Sequence, residues 1–229
     1  MRTLASLALI MLAATGVRAA EAGSTNAPVD YEVRVKDRPV LQRGFLPDSS
    51  PRSIAVGLPG GLSYCFDAEA CRLRYAWSGG FLDMKPTWHG RGASPPVLRG
   101  EKFFIAPDAL PLRVRDRAAK PKVQFRGYSM VDGLPEFRFA VDGVAVRERI
   151  EAAPGGGLRC TFEMEQPVTE IEFQPPPGTS VSSAGRTLNP NAEGWVRIPL
   201  AAPTRFEVLI PGPAAGIPVR SATKATNER

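Results

Sequence analysis

The hydrophobic pattern of this chain has a period of two almost from end to end. Residues 29–36, VDYEVRVK, place Val29, Tyr31, Val33 and Val35 against charged neighbours, which predicts a half-buried strand. Residues 53–58 (SIAVGL) run into Pro59-Gly60-Gly61 and then into 62–66 (LSYCF), a hairpin reading. In 71–77 (CRLRYAW), Cys71, Leu73, Tyr75 and Trp77 alternate with Arg72, Arg74 and Ala76, so the four are expected on one face. Residues 123–129 and 135–141 flank Asp132-Gly133. Asp142-Gly143 joins 136–141 to 144–150. Asp-Gly between alternating runs is a strong hairpin signal, because both central positions of the tight turn want positive φ. Residues 158–164 alternate Leu158, Cys160, Phe162 and Met164, and further strands are read at 168–173, 194–200 and 204–210. No helical period longer than two turns is evident, and 85–100, with three prolines, reads as a loop. The prediction is an all-β protein, an antiparallel β-sandwich of about a dozen short strands, in one domain over 29–210.

Composition supports this picture. The chain holds 22 glycines and 23 prolines in 229 residues, a density of breakers that disfavours long helices. Residues 1–22 read as a signal peptide. Arg2 gives a short positive start, 4–14 (LASLALIMLAA) an apolar stretch too short to span a bilayer, and small residues allow cleavage near Ala19 or Ala22. The expected location is therefore periplasmic or secreted, with no membrane insertion after cleavage. The tail, 211–229, is rich in small, polar and charged residues and reads as flexible. The net charge of +6 falls to about +4 or +5 once the leader is removed. The remaining basic residues are scattered rather than clustered among aromatics, so no nucleic-acid partner is expected.

Export permits disulfides. Were Phe66 to pair with Ala70, Cys65 would face Cys71 across a ladder, and a Cys65–Cys71 bridge is expected on that register. Closing so small a loop would add roughly 2 kcal/mol at most. The spacing C-x5-C is neither a zinc nor a haem spacing. Cys160 reads as an inert core thiol. With one histidine, His89, the chain has little material for a histidine-rich metal site or a Ser-His-Asp relay, and no metal or cofactor is expected.

The densest chemical material lies at 64–92, where aromatics mix with carboxylates and arginines. Aromatic faces flanked by polar groups suit sugar rings, whose apolar faces stack while their hydroxyls take hydrogen bonds. Phe81, Asp83, Trp88, His89 and Arg91 are the candidate ligand-binding residues. His89 as a general base lacks a carboxylate partner at any fixed spacing. Asp67 and Asp83 are a candidate acid/base pair for glycoside chemistry, which needs two carboxyls at a defined separation.

The run RGFLPDSSPRSIAVGLPGGLSYCFDAEACRLRYAWSGGFLD (43–83) and the later FRGYSMVDGLPEFRFAVDGVAV (125–146) resemble an uncharacterised exported module of bacterial c-type cytochrome and sugar-dehydrogenase-like polypeptides. The resemblance implies a periplasmic or secreted β-sandwich beside a haem domain, but no haem motif occurs in this chain. The sandwich also resembles the large two-sheet type of mutarotase-like proteins, although the histidines those enzymes use have no counterpart here. The leading expectation is an accessory module that binds carbohydrate and has no catalysis of its own. A domain docking a periplasmic redox protein such as a c-type cytochrome is the alternative. A carboxylate-dependent sugar-active enzyme is a third reading.

Overall fold

The computed structural model describes residues 29–90, 94–114, 120–165 and 170–213. The expected signal peptide, Arg91 and the tail from residue 214 lie outside the described residues. The chain divides into two units, Met1–Asp30 and Tyr31–Arg229, and the second holds every strand and helix described below.

In chain order the strands are β1 (Glu32–Val33), β2 (Val40–Arg43), β3 (Ser53–Leu58), β4 (Leu62–Asp67) and β5 (Arg72–Asp83). The short helix α1 (Lys85–His89) comes next, then β6 (Val97–Ile105), β7 (Leu112–Val114), β8 (Val123–Val131), β9 (Leu134–Val141), β10 (Val144–Ala152) and β11 (Gly157–Met164). The last are β12 (Ile171–Phe173), β13 (Ser180–Ser183), β14 (Arg186–Leu188), β15 (Val196–Ile198) and β16 (Thr204–Pro211). The fold is nearly all β, as the period-two pattern predicts, and all its described pairings are antiparallel. Part of the segment expected as a loop is instead α1, where Pro86 occupies the first turn, a position that tolerates its missing N–H. No helix among the described residues is long and apolar enough to cross a membrane.

Three sheets result. The first has the order β1-β5-β4-β3-β2, with β6 also paired to β5. The second runs β14-β13-β16-β11-β10-β9-β8, and the third is β15-β12-β7. The turns expected from sequence are present. Leu58 pairs with Leu62 around Pro59-Gly60-Gly61. Val131 pairs with Leu134, and Val141 with Val144, around Asp-Gly turns whose four central residues all have positive φ. That backbone twist matches the twist of the flanking strands, which is why these turns fix register.

The main core draws side chains from all three sheets. Across the first and second sheets Phe66 stacks on Phe137 with ring centroids 3.9 Å apart. Phe173 of the third sheet packs at 5.3 Å on Phe206 of the second. These contacts make the molecule a sandwich. The first sheet is also covered on its other face, where Ala55, Cys65, Tyr75, Trp77, Phe81 and Met84 belong to a second, smaller core closed by Val33, Val35, Val40 and Leu98. Burial on both faces explains why all six residues of β3 are buried.

A β-bulge corrects two expectations. Phe66 pairs with Leu73 but Cys65 pairs with Tyr75, so Arg74 is an extra residue on β5. The insertion shifts the alternation by one and reverses which face each later side chain takes. Cys71 and Leu73 therefore enter the main core, while Tyr75 and Trp77 enter the small one, instead of the four sharing a face. The Cys65–Cys71 disulfide is not formed. Asp67 pairs with Arg72, so Cys71 lies in the connecting turn at φ 52°, in the main core, with Cys65 in the small core. All three cysteines are free and buried.

Candidate binding surface at the end of β5

The end of β5 carries the residues singled out from sequence. Met84 is buried in the small core and anchors the chain where it leaves the sheet. Asp83 accepts a hydrogen bond from the Lys85 N–H at 2.9 Å, which turns the backbone into α1. Trp88 N–H then bonds Met84 O at 2.9 Å, and Gly90 N–H bonds Pro86 O at 2.9 Å, closing the helix after a single turn. Thr87 Oγ1 fastens it to Ser94 O at 3.0 Å. On the neighbouring segment Glu32 pairs with Asp83 and Val33 with Leu82. The Met84 N–H donates to Tyr31 O at 2.9 Å, which brings Tyr31 beside α1.

Three rings meet at this corner. Tyr31 lies 6.1 Å from Trp88 with the ring planes at 60°, and 4.8 Å from His89 nearly edge-on. The Tyr31 hydroxyl and His89 Nε2 share a hydrogen bond. Trp88 is 54% exposed, unusual for the largest apolar side chain, and His89 is exposed too. Asp83, partly exposed, pairs with Arg99 at 3.4 Å. The corner thus offers an apolar ring face with a carboxylate and a guanidinium close along the chain.

The structure places Trp88 and His89 together on α1, just after Asp83 at the end of β5, and brings to them Tyr31, which the sequence pattern assigns to a core strand. Tyr31 is 58 residues from His89, and no local signal joins them. Phe81 is placed differently from the expectation. It is 2% exposed and stacks in parallel on Trp77 at 5.9 Å within the small core, so it offers no surface to a ligand. Arg91 is outside the described residues.

Asp67 and Asp83 do not form a catalytic pair. Asp67 pairs opposite Arg72 at one end of the twelve-residue β5 and Asp83 ends the other, a separation on the order of 30 Å at about 3.3 Å per residue. Paired glycosidase carboxyls stand within about 10 Å. Asp67 instead organises its turn, accepting from Ser50 Oγ at 2.6 Å, Glu69 N–H at 3.0 Å and Ala70 N–H at 3.2 Å.

The thiols are unreactive by environment. Burial pushes Cys65 up to about 11, Cys71 up to about 12, and Cys160 well above the usual thiol range, leaving almost no thiolate at neutral pH. Among the described residues no group of three or more histidine, cysteine, aspartate or glutamate side chains is placed to hold a metal ion.

Fold and surface define the class: an antiparallel β-sandwich with an exposed aromatic corner where the chain leaves β5. A family model described as a domain of unknown function (DUF6797) matches residues 64–148, from β4 into β10, a span that contains α1. It overlaps both stretches that carry the resemblance to an uncharacterised module. Nothing in the match links the chain to cytochromes or sugar dehydrogenases. No curated protein and no solved structure matches the chain.

Proposed function

We propose that this protein is an exported, non-catalytic accessory module that binds carbohydrate at the Tyr31–Trp88–His89 corner. The observation that carries this reading is the exposed Trp88 ring, held by a one-turn helix and braced by the tilted ring of Tyr31. A rigid aromatic face loses little conformational entropy when a sugar ring stacks on it. Asp83 and Arg99 supply an acceptor and a fork of donors for the hydroxyls at the ring edge. The apolar leader supports export to the periplasm or beyond.

A glycan array with the full mature chain, followed by titration calorimetry on the hits, tests this. Trp88→Ala should lower affinity at least about tenfold while shifting folding stability by no more than about 0.5 kcal/mol, the usual range for an exposed substitution. Failure of the wild type to bind any glycan overturns the reading, as does unchanged binding by Trp88→Ala.

A further inference from the structure

The main core is not completely filled. On β10, Val144, Val146, Glu148 and Ile150 alternate inward, and three of those four positions are aliphatic. Strand geometry therefore aims the Glu148 carboxyl into the sandwich. Glu148 is 2% exposed, and its carboxyl makes no hydrogen bond to any described residue. It lines a cavity of about 40 Å3, whose walls include Cys71, Arg72, Phe139, Cys160 and Phe162. Arg72 lines the same cavity, and its buried Nε–H has no partner among the described residues. The Tyr64 hydroxyl, buried and also unpartnered, is close enough to feel the Glu148 charge.

The cavity has an approach. Ala106, Pro111 and Pro176 line it and also line a wider groove of about 270 Å3, to which Pro175 and Pro177 contribute as well. A narrow, mostly apolar slot and a roomier, proline-walled groove thus share one stretch of wall.

Native interiors rarely leave buried polar groups unpaired, because each costs about 1–3 kcal/mol. One such group, the Arg72 Nε–H, lines the same cavity as the Glu148 carboxyl, and the two together point to an occupant that partners them. Burial alone raises the Glu148 carboxyl to about 8, so at neutral pH it is mostly uncharged and offers an O–H donor as well as an acceptor. An anion gains nothing from such a group, and a bare cation would find a single carboxyl and be repelled by the Arg72 guanidinium that also lines the cavity.

We propose that this cavity and its outer groove bind a small, uncharged, largely apolar molecule carrying one oxygen function, a ketone or an alcohol. Its oxygen hydrogen-bonds Glu148 and its hydrocarbon body extends past Ala106, Pro111 and Pro176. The inner slot has room for the oxygen and a few carbons, and the outer groove for the rest. This site is separate from the aromatic corner and would stand without it.

The test uses the full mature chain at about pH 7, with 2-hexanone and 1-hexanol as oxygenated probes. The control is 2-methyl-1-hexene, which has the shape of the ketone without its oxygen. Ligand-detected NMR should show saturable uptake of 2-hexanone, competed by 1-hexanol, with the alkene weaker by about tenfold, the worth of one good hydrogen bond. That comparison needs no variant. Glu148→Leu should erase the preference for the ketone, and Glu148→Gln, which keeps a donor and an acceptor, should retain it. Ala106→Trp, at the shared mouth, should block all three probes. Equal uptake of ketone and alkene by the wild type overturns the proposal, as does an undiminished preference in Glu148→Leu. A probe-soaked crystal with ordered water alone against Glu148 also overturns it, by making solvent the occupant.

Discussion

The two cores of this sandwich share the strands β3–β5 yet treat polar atoms in opposite ways. In the small core the buried polar groups of Tyr75, Trp77 and Cys65 all have partners. Tyr75 donates its hydroxyl to Pro47 O at 2.7 Å, Trp77 Nε1 donates to Gly80 O at 3.1 Å, and Cys65 Sγ reaches Ser49 Oγ at 3.4 Å. In the main core Tyr64 Oη and Arg72 Nε have no partner among the described residues, and Glu148 faces a cavity. The small core is built for stability. The main core retains polar groups that apolar residues of the same shape would replace without loss, which is the mark of a place shaped for an occupant.

The pH dependence of stability should separate the two cores most clearly. The native Glu148 carboxyl, at about 8, lies above its unfolded value of 4.5. The folded state therefore holds the proton more tightly, and stability falls as pH rises from 4.5 to about 8, then levels off. The loss from this one group is on the order of 5 kcal/mol. Urea denaturation at about pH 5, 7 and 9 should show Glu148→Leu gaining on the wild type with each step. A constant difference across that range would show that Glu148 is already ionised or partnered in the native state.

Next in size, Trp77→Ala in the small core and Phe66→Ala in the main core should each cost about 3–5 kcal/mol, since both rings are fully buried and stacked. Each should still unfold in one transition by both fluorescence and circular dichroism, because β3–β5 belong to both cores. Two separated transitions would make the cores independent units.

The finest contrast is between two tyrosines. Tyr75→Phe removes a made hydrogen bond and should cost about 1 kcal/mol. Tyr64→Phe removes an unmade one and should be neutral or slightly stabilising. Thermal denaturation of the pair reads this directly. Smaller still in its bearing on the two cores, native thiols should resist iodoacetamide at about pH 7, and all three should react once the chain is unfolded.

Much of this is readable in the sequence where the information is local. Asp132-Gly133 and Asp142-Gly143 each place two positive-φ residues between alternating runs, and those hairpins form as expected. The corner residues Asp83, Trp88 and His89 stand out because aromatic and polar types crowd together there. Phe81 reads as a surface residue because the glycines beside it suggest a loop. Gly79 and Gly80 instead let β5 and β6 approach closely at a second irregularity in their pairing.

The all-β class, the antiparallel hairpins and the alternation of Leu158, Cys160, Phe162 and Met164 in β11 follow from the sequence alone, since alternation and tight turns depend on residues a few positions apart. Which face of the first sheet each aromatic takes is settled by tertiary packing. One extra residue, Arg74, reverses the alternation, and no local propensity signals its insertion. Tertiary packing also brings Tyr31 to Trp88 and turns the buried Glu148 toward a cavity. Whether two distant side chains meet, or a buried carboxyl faces a cavity, depends on how whole sheets stack.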